Sequence, residues 1–340
     1  MRNLGKLAVL GITALGLALA GPQDNSLVIG ASQEPRVLAG DFLSVISNQA
    51  IKSEIEQYLF APFIGFNADS QNFPVLATEV PTLENGRLRV TDIGGGKKRL
   101  EMDITIRPDA KWSDGRPITT EDVAFYFEVG KAKGMPVLNP DFWERVNVRI
   151  KDARNFTLIF EPAYYYDTYG PINTYAPKHI MGPEWERVKA AARGLDPQKD
   201  AEKLNELYRN FFIKFSTPQA LNRGAMVYSG PFMLRRWVPG NSIEMVRNPN
   251  FPIKPEGGES KYVQKVVYRF IQNTNSLLVA VIGGSIDATS SVSLTFDQGR
   301  SPQLVRRAPG RFDIWFVPGA IWEHIDINKF ENCQVVKDLG

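Results

Sequence analysis

The sequence predicts an α/β protein organised in at least two lobes, and three observations carry that prediction. Short strand-like runs such as Ser26–Ala31 and Lys98–Arg107 recur between segments whose apolar residues follow helical spacing. The chain has 340 residues, beyond the roughly 250–300 at which a single hydrophobic core stops growing. Its 43% hydrophobic and 23% charged residues describe a globular chain, neither disordered nor repeatedly membrane-spanning.

Residues 1–20, MRNLGKLAVLGITALGLALA, begin with Arg2 and Lys6 and continue as an apolar run from Leu7 to Ala20. At about 14 residues that run is short for a bilayer span, which takes roughly 20. It closes on Ala18-Leu19-Ala20, the small-x-small pattern of a cleavage site before Gly21. A cleavable signal peptide and an exported chain are expected, with no cysteine after the run to take a lipid anchor.

The mature chain then reads as alternating elements. Ser26–Ala31 is a buried-type strand, and Asn48 is placed to cap a helix running through Ile51, Ile55 and Tyr58. Two strands flank Gly94-Gly95-Gly96, the second carrying Leu100, Met102, Ile104 and Ile106 on one face. The turn Trp112–Pro117 leads to a helix capped by Thr119, with Asp122 three residues on as in a capping box. Strands follow at Val146–Lys151 and Phe156–Glu161, then the cluster Tyr164-Tyr165-Tyr166. Leu204, Leu207, Tyr208, Phe211, Phe212 and Phe215 share one face of a helix over Ala201–Phe215. Pro231–Val238 and Ser242–Arg247 flank Pro239-Gly240-Asn241, and Tyr262–Ile271 adds a third strand. A helix from Asn273 to about Ile282 leads through Gly283-Gly284 into Ile286–Ala288, with last strands near Phe312–Val317 and Ile321–Ile327.

Composition removes several chemistries. The single cysteine, Cys333, excludes an intrachain disulfide and a Cys₄ or Cys₂His₂ zinc site. The formal charge of +3 falls to +1 once the leader's Arg2 and Lys6 are set aside, which argues against nucleic acid as partner. Gly94-Gly95-Gly96-Lys97 is not a phosphate loop: Thr91 stands where that motif needs glycine, and Lys98 where it needs Ser or Thr. The histidines are His179 and His324, and no nucleophile motif accompanies either. No catalytic residue, metal or cofactor is expected.

Six strings spread along the chain resemble the extracytoplasmic solute-binding proteins of ABC importers, in the large peptide/nickel-binding class. They are LVIGASQEP at 27–35, IRPDAKWSDGRPITTEDVAFYFE at 106–128, YAPKHIMGPEW at 175–185, YSGPFMLRRWVPGNSIEMVRNPNF at 228–251, GGSIDA at 283–288 and WEHIDIN at 322–328. Phe232 stands where a typical member has Tyr.

The resemblance implies a two-lobed α/β binding fold of the type II periplasmic class. Lobe I takes residues 21–58 and 186–270, an inserted subdomain takes 59–185, and lobe II begins in 271–340. It implies a monomer that captures peptides for permease subunits and their cytoplasmic ATPase, with nickel, oligosaccharide or another small solute as alternatives on the same fold. A secreted hydrolase is the alternative from another class. By position the cleft residues are Gln33, Glu34 and Pro35, a second wall of Tyr228, Ser229 and Gly230, and Thr289, Ser290 and Ser291 from the opposite lobe. Members of the family continue well past the WEHIDIN strand, so lobe II is expected to be incomplete.

Overall fold

The structure is a computed structural model that describes residues 25–67, 69, 71–164, 173–254 and 262–316. The leader, Tyr165, Tyr166, His324, Cys333 and the strand expected at Ile321–Ile327 lie outside the described residues.

In chain order the elements begin with β1 (Ser26–Ala31), α1 (Ala50–Leu59), β2 (Ile64–Phe66), β3 (Asn72–Pro74), β4 (Leu88–Gly94) and β5 (Lys97–Thr105). They continue with α2 (Thr120–Gly130), α3 (Pro140–Arg145), β6 (Val146–Ile150), β7 (Asn155–Phe160), α4 (Lys178–Ala192), α5 (Ala201–Ser216) and α6 (Pro218–Asn222). The last are β8 (Phe232–Val238), β9 (Ser242–Arg247), β10 (Lys265–Phe270), α7 (Thr274–Gly283), β11 (Ala288–Thr289), α8 (Phe296–Gly299) and α9 (Pro302–Val305). Two compact units part between Leu294 and Thr295. Residues 271–294, expected at the start of lobe II, therefore pack within the first unit.

A five-stranded sheet in the order β11-β1-β10-β9-β8 organises that unit. β1 runs parallel to both neighbours, with Ser26 opposite Lys265, Ala31 opposite Phe270 and Gly30 opposite Thr289. β8, β9 and β10 are antiparallel. Side chains alternate across β1, so Ile29 joins the large core with α1, α4 and α5 while Val28 meets Leu277 and Ile286 on the α7 side. Helices thus cover both faces of the central strand, as its continuous apolar run requires.

Residues between α1 and α4, with Val227 and Phe251, build a second core. Its four-stranded sheet has the order β4-β5-β7-β6, all antiparallel. The face carrying Leu100, Met102, Ile104, Phe156 and Leu158 packs on Phe63, Trp112, Val123 and Phe127. Gly94, Gly95 and Gly96 turn the β4–β5 hairpin with φ of 86°, 60° and 74°, the left-handed backbone that favours glycine. The Thr119 capping box is present, with Asp122 closing it.

Several local readings needed the third dimension. Asn48 does not cap α1, because the helix starts one residue later and its N-cap is Gln49, without a side-chain cap bond. α4 was hidden by Gly182-Pro183, a breaker signal that the helix accommodates in its first turns. Its Met181, Trp185 and Val188 enter the large core. Phe312–Phe316, expected as strand, is irregular.

Candidate functional site

Strands β1, β10 and β11 end side by side, at Ala31, Phe270 and Thr289. In open α/β sheets the crevice beyond the carboxyl ends of parallel strands is the usual place for ligands. Here the loops leaving those ends begin at Ser32, Ile271 and Ser290. They are tied together by backbone and hydroxyl groups. Ser290 donates its N–H to Gly30 O (2.8 Å), and Ser293 Oγ donates to the same oxygen (3.0 Å). Ser32 Oγ donates to Val292 O at 3.0 Å.

The centre of this arrangement is Glu54 of α1. Its Oε2 accepts from Ser290 Oγ (2.9 Å), Ser291 N (3.0 Å) and Ser291 Oγ (2.6 Å), while Oε1 accepts from Tyr268 OH (2.8 Å). Four donors on one carboxylate join a helix, the end of β10 and the loop after β11. Burial pushes the Tyr268 phenol well above its ordinary range, and the neighbouring Tyr58 and Glu54 add to the shift, so it stays a donor. Glu54 is not among the nine candidate residues. The signal was available, since Glu54 lies in the stripe Ile51–Ile55–Tyr58 that faces the protein, where a carboxylate needs partners.

The nine candidate residues separate into three groups. Thr289 is exposed at the end of β11 and Ser291 on the loop that Glu54 holds, with Ser290 buried between them. Gln33 is exposed, but Glu34 is occupied: Trp237 Nε1 donates to its Oε1 at 2.7 Å and Gly240 N to its Oε2 at 2.8 Å. Glu34 thereby pins the β8–β9 turn against the β1 loop, with Pro35 buried beside it.

The third group, expected as a cleft wall, lies inside the unit. Ser229 is fully buried, with its Oγ 2.6 Å from Tyr175 OH and accepting from Ala61 N at 3.3 Å. Tyr175 OH donates to Ala61 O. Gly230 donates its N–H to Leu59 O at 2.8 Å, and a Cβ there would fall 2.6 Å from the Leu59 carbonyl carbon. Tyr228 is 5% exposed, its ring 5.9 Å from Phe60, and its backbone pairs with Ser113 through N–H donations of 2.7 and 3.0 Å. These contacts join the end of α1 to the turn at Ser113 and to Tyr175. The Ser-Gly-Pro string signals tight backbone approach as readily as a ligand loop.

The turn-helix string at 112–122 has a packing explanation too. Asp122 accepts from Trp112 Nε1 (3.2 Å), Thr119 N (3.0 Å) and Lys178 N (3.0 Å), fastening the turn, α2 and the start of α4 to one carboxylate. His179 Nε2 lies 2.9 Å from Asp114 Oδ2 on the same surface.

The bacterial extracellular solute-binding proteins, family 5, match the chain over residues 97–323. The oligopeptide-binding protein AppA of Bacillus subtilis is 23% identical over 270 residues, covering 78% of this chain and 40% of AppA. A probable ABC transporter-binding protein of Deinococcus radiodurans is 27% identical over 203 residues, or 30% of its own length. A crystal structure of an oligopeptide-binding protein from Thermus thermophilus, complexed with pentapeptide, superposes with a TM-score of 0.92 and 98% identity. It is covered over 94% of this chain and 53% of its own. The chain thus spans about half that solved structure and less of the curated relatives. The structure of Bacillus subtilis AppA shares the fold at 20% identity and a TM-score of 0.53.

Proposed function

Since the chain belongs to the bacterial extracellular solute-binding proteins of family 5, we propose that it captures peptides outside the cytoplasm and delivers them to an ABC importer. The observation that carries this reading is the 98% identity, over 94% of the chain, to an oligopeptide-binding protein solved with a pentapeptide. Among the described residues no helix is long and apolar enough to cross a membrane. The signal peptide at residues 1–20, the permease subunits and their ATPase belong to the same proposal.

The first unit contributes one wall of the peptide site, at the ends of β1, β10 and β11. Gln33, Thr289 and Ser291 are the contact residues on that wall. Peptides present a repeating set of backbone donors and acceptors, and loops fixed by other hydrogen bonds meet such groups with little ordering cost. Glu34 and Ser290 act one step back by holding the loops. Tyr228, Ser229 and Gly230 support the frame and do not touch ligand.

The test is a thermal-shift and calorimetric titration of the chain with peptide pools of graded length, Ni²⁺ and oligosaccharides. Saturable stabilisation by peptides alone, without turnover, is the expected result. Stabilisation by Ni²⁺ or by an oligosaccharide in place of peptides overturns the substrate assignment, and product formation overturns the binding role.

A further inference from the structure

α1 has a second functional face. Residues two apart on a helix point about 200° away from each other, so Lys52 and Glu56 lie opposite the Glu54 side that holds the 290–293 loop. They sit at the floor of a cavity of about 530 Å³ between α1, the loop before it and the β2–β3 hairpin. The walls are aromatic: Phe42, Phe60, Phe66 and Phe73, with Met226. Phe66 and Phe73 are 54% and 42% exposed at the hairpin, an open apolar rim on an otherwise well-packed segment.

The floor is short of positive charge. Lys52 Nζ stands 3.2 Å from Glu56 Oε2 and donates to Asp41 O at 2.9 Å and to Ser44 Oγ at 3.3 Å. Asp41 is fully buried behind it, its carboxylate taking the N–H groups of Val45, Ile46 and Ser47. The bond to Asp41 is to its backbone carbonyl, so Lys52 pairs directly with Glu56 alone, whose Oε1 also accepts from Ala39 N at 2.8 Å. Lys52 reaches the Asp41 carboxylate only through space, one positive charge against two carboxyl groups. Burial pushes the Glu56 carboxyl up to about 7, against the opposing pull of Lys52. Lys52 and Asp41 are the charged groups packed around it among the described residues, and Tyr175 is the other titratable residue of the wall.

We propose that this cavity is a second ligand site, which takes a protonated amine carried on an aromatic or aliphatic body. The ring faces of Phe42, Phe60, Phe66 and Phe73 suit both the body and the cation. The ammonium supplies the missing charge beside Glu56, and Ser44, Gln57 and Asn173 offer polar contacts around it. The volume lies in the range of small-molecule pockets. No covalent step is involved, and the site does not depend on which solute the rim at 289–291 takes.

Phenethylamine is the probe, compared with phenethyl alcohol and hydrocinnamate, which keep the ring and change the charge. On the whole chain, at mildly alkaline pH, calorimetry is expected to show saturable amine binding roughly tenfold tighter than the alcohol, with no binding of the carboxylate. Glu56→Gln should erase the preference for amine over alcohol. Phe66→Ala, on the exposed hairpin where folding is not at stake, should weaken amine and alcohol alike by several-fold. A saturating peptide should leave the amine isotherm in place. Equal affinities for the three probes, an amine preference that survives Glu56→Gln, an unaffected Phe66→Ala or displacement by peptide each overturns the proposal. A failure of the peptide assignment leaves the amine comparison intact and readable.

Discussion

Glu54 Oε2 accepts three hydrogen bonds from two consecutive serines, so one side chain adds to the bonds with Gly30 and Ser32 that hold the loop carrying Ser291. Glu54→Gln keeps the shape but replaces a charged acceptor with a neutral one. Hydrogen bonds to charged groups are worth about 1.5–3 kcal/mol, so peptide dissociation constants should rise at least tenfold. An unchanged isotherm would show that the loop holds its form without the carboxylate. Ser229→Ala makes the contrasting case. It strands Ala61 N–H in the interior and should cost about 1–3 kcal/mol in urea unfolding, with no effect on peptide affinity in the folded protein. Glu56 adds a pH dependence. Its folded pKa is raised to about 7, above the roughly 4.3 of an unperturbed Glu, so the native state binds the extra proton between those values. Its contribution to stability is present on the acid side of that window and is lost as pH rises through about 7. Glu56→Gln should flatten the decline in melting temperature between mildly acidic and neutral pH.

At the scale of elements, the four-stranded sheet carries a cross-strand charge lattice on its outer face. Arg89 bridges Glu101 (3.2 Å) and Asp103 (2.7 Å), and Arg149 and Lys151 approach the same two acids from β6 and the residue after it. Asp103 also accepts from Thr157 Oγ1 at 2.5 Å. Desolvation works against its charge, but the bonds from Arg89, Lys151 and Thr157 outweigh it and hold the carboxyl well below the usual range. A depressed pKa gives stability that is present above the unfolded value, about 3.9, and lost as pH falls toward the folded one. Asp103→Asn should therefore cost about 1–2 kcal/mol at neutral pH and make acid unfolding less steep. A variant that unfolds in acid as readily as the parent would show that the lattice is surface decoration. α2 shows a different economy. Its capping acid, Asp122, also receives Trp112 and Lys178 N–H, so one short motif sets the positions of three segments.

For the whole molecule, a ligand that binds only the folded form stabilises it by mass action. A peptide at a hundred times its dissociation constant should add about 2.7 kcal/mol, a rise of a few degrees in melting temperature. A melt that ignores peptides at that ratio would count against the wall at β1, β10 and β11. Much of this architecture is written in local patterns. The alternation of β5, the amphipathic face of α5, the Thr119 box and the glycine turn at 94–96 all follow from spacing between near neighbours. Local pattern failed where tertiary packing overruled a residue's usual preference: Pro183 inside α4, and Asn48 one residue before the α1 cap.

Periodicity and turn chemistry were enough to specify β1, β5, α2 and α5 and their apolar faces, because such a strand or helix answers mainly to residues within a few positions. The assignment of Glu54 to Ser290 and Ser291, of Glu34 to Trp237 and Gly240, and of Ser229 to Tyr175 belongs to the tertiary structure alone. Those partners lie 54 to 237 residues apart in the chain. A polar side chain's task, exposed for a ligand or buried as a joint, is fixed by what folding brings within hydrogen-bond distance, and no local spacing encodes that distance.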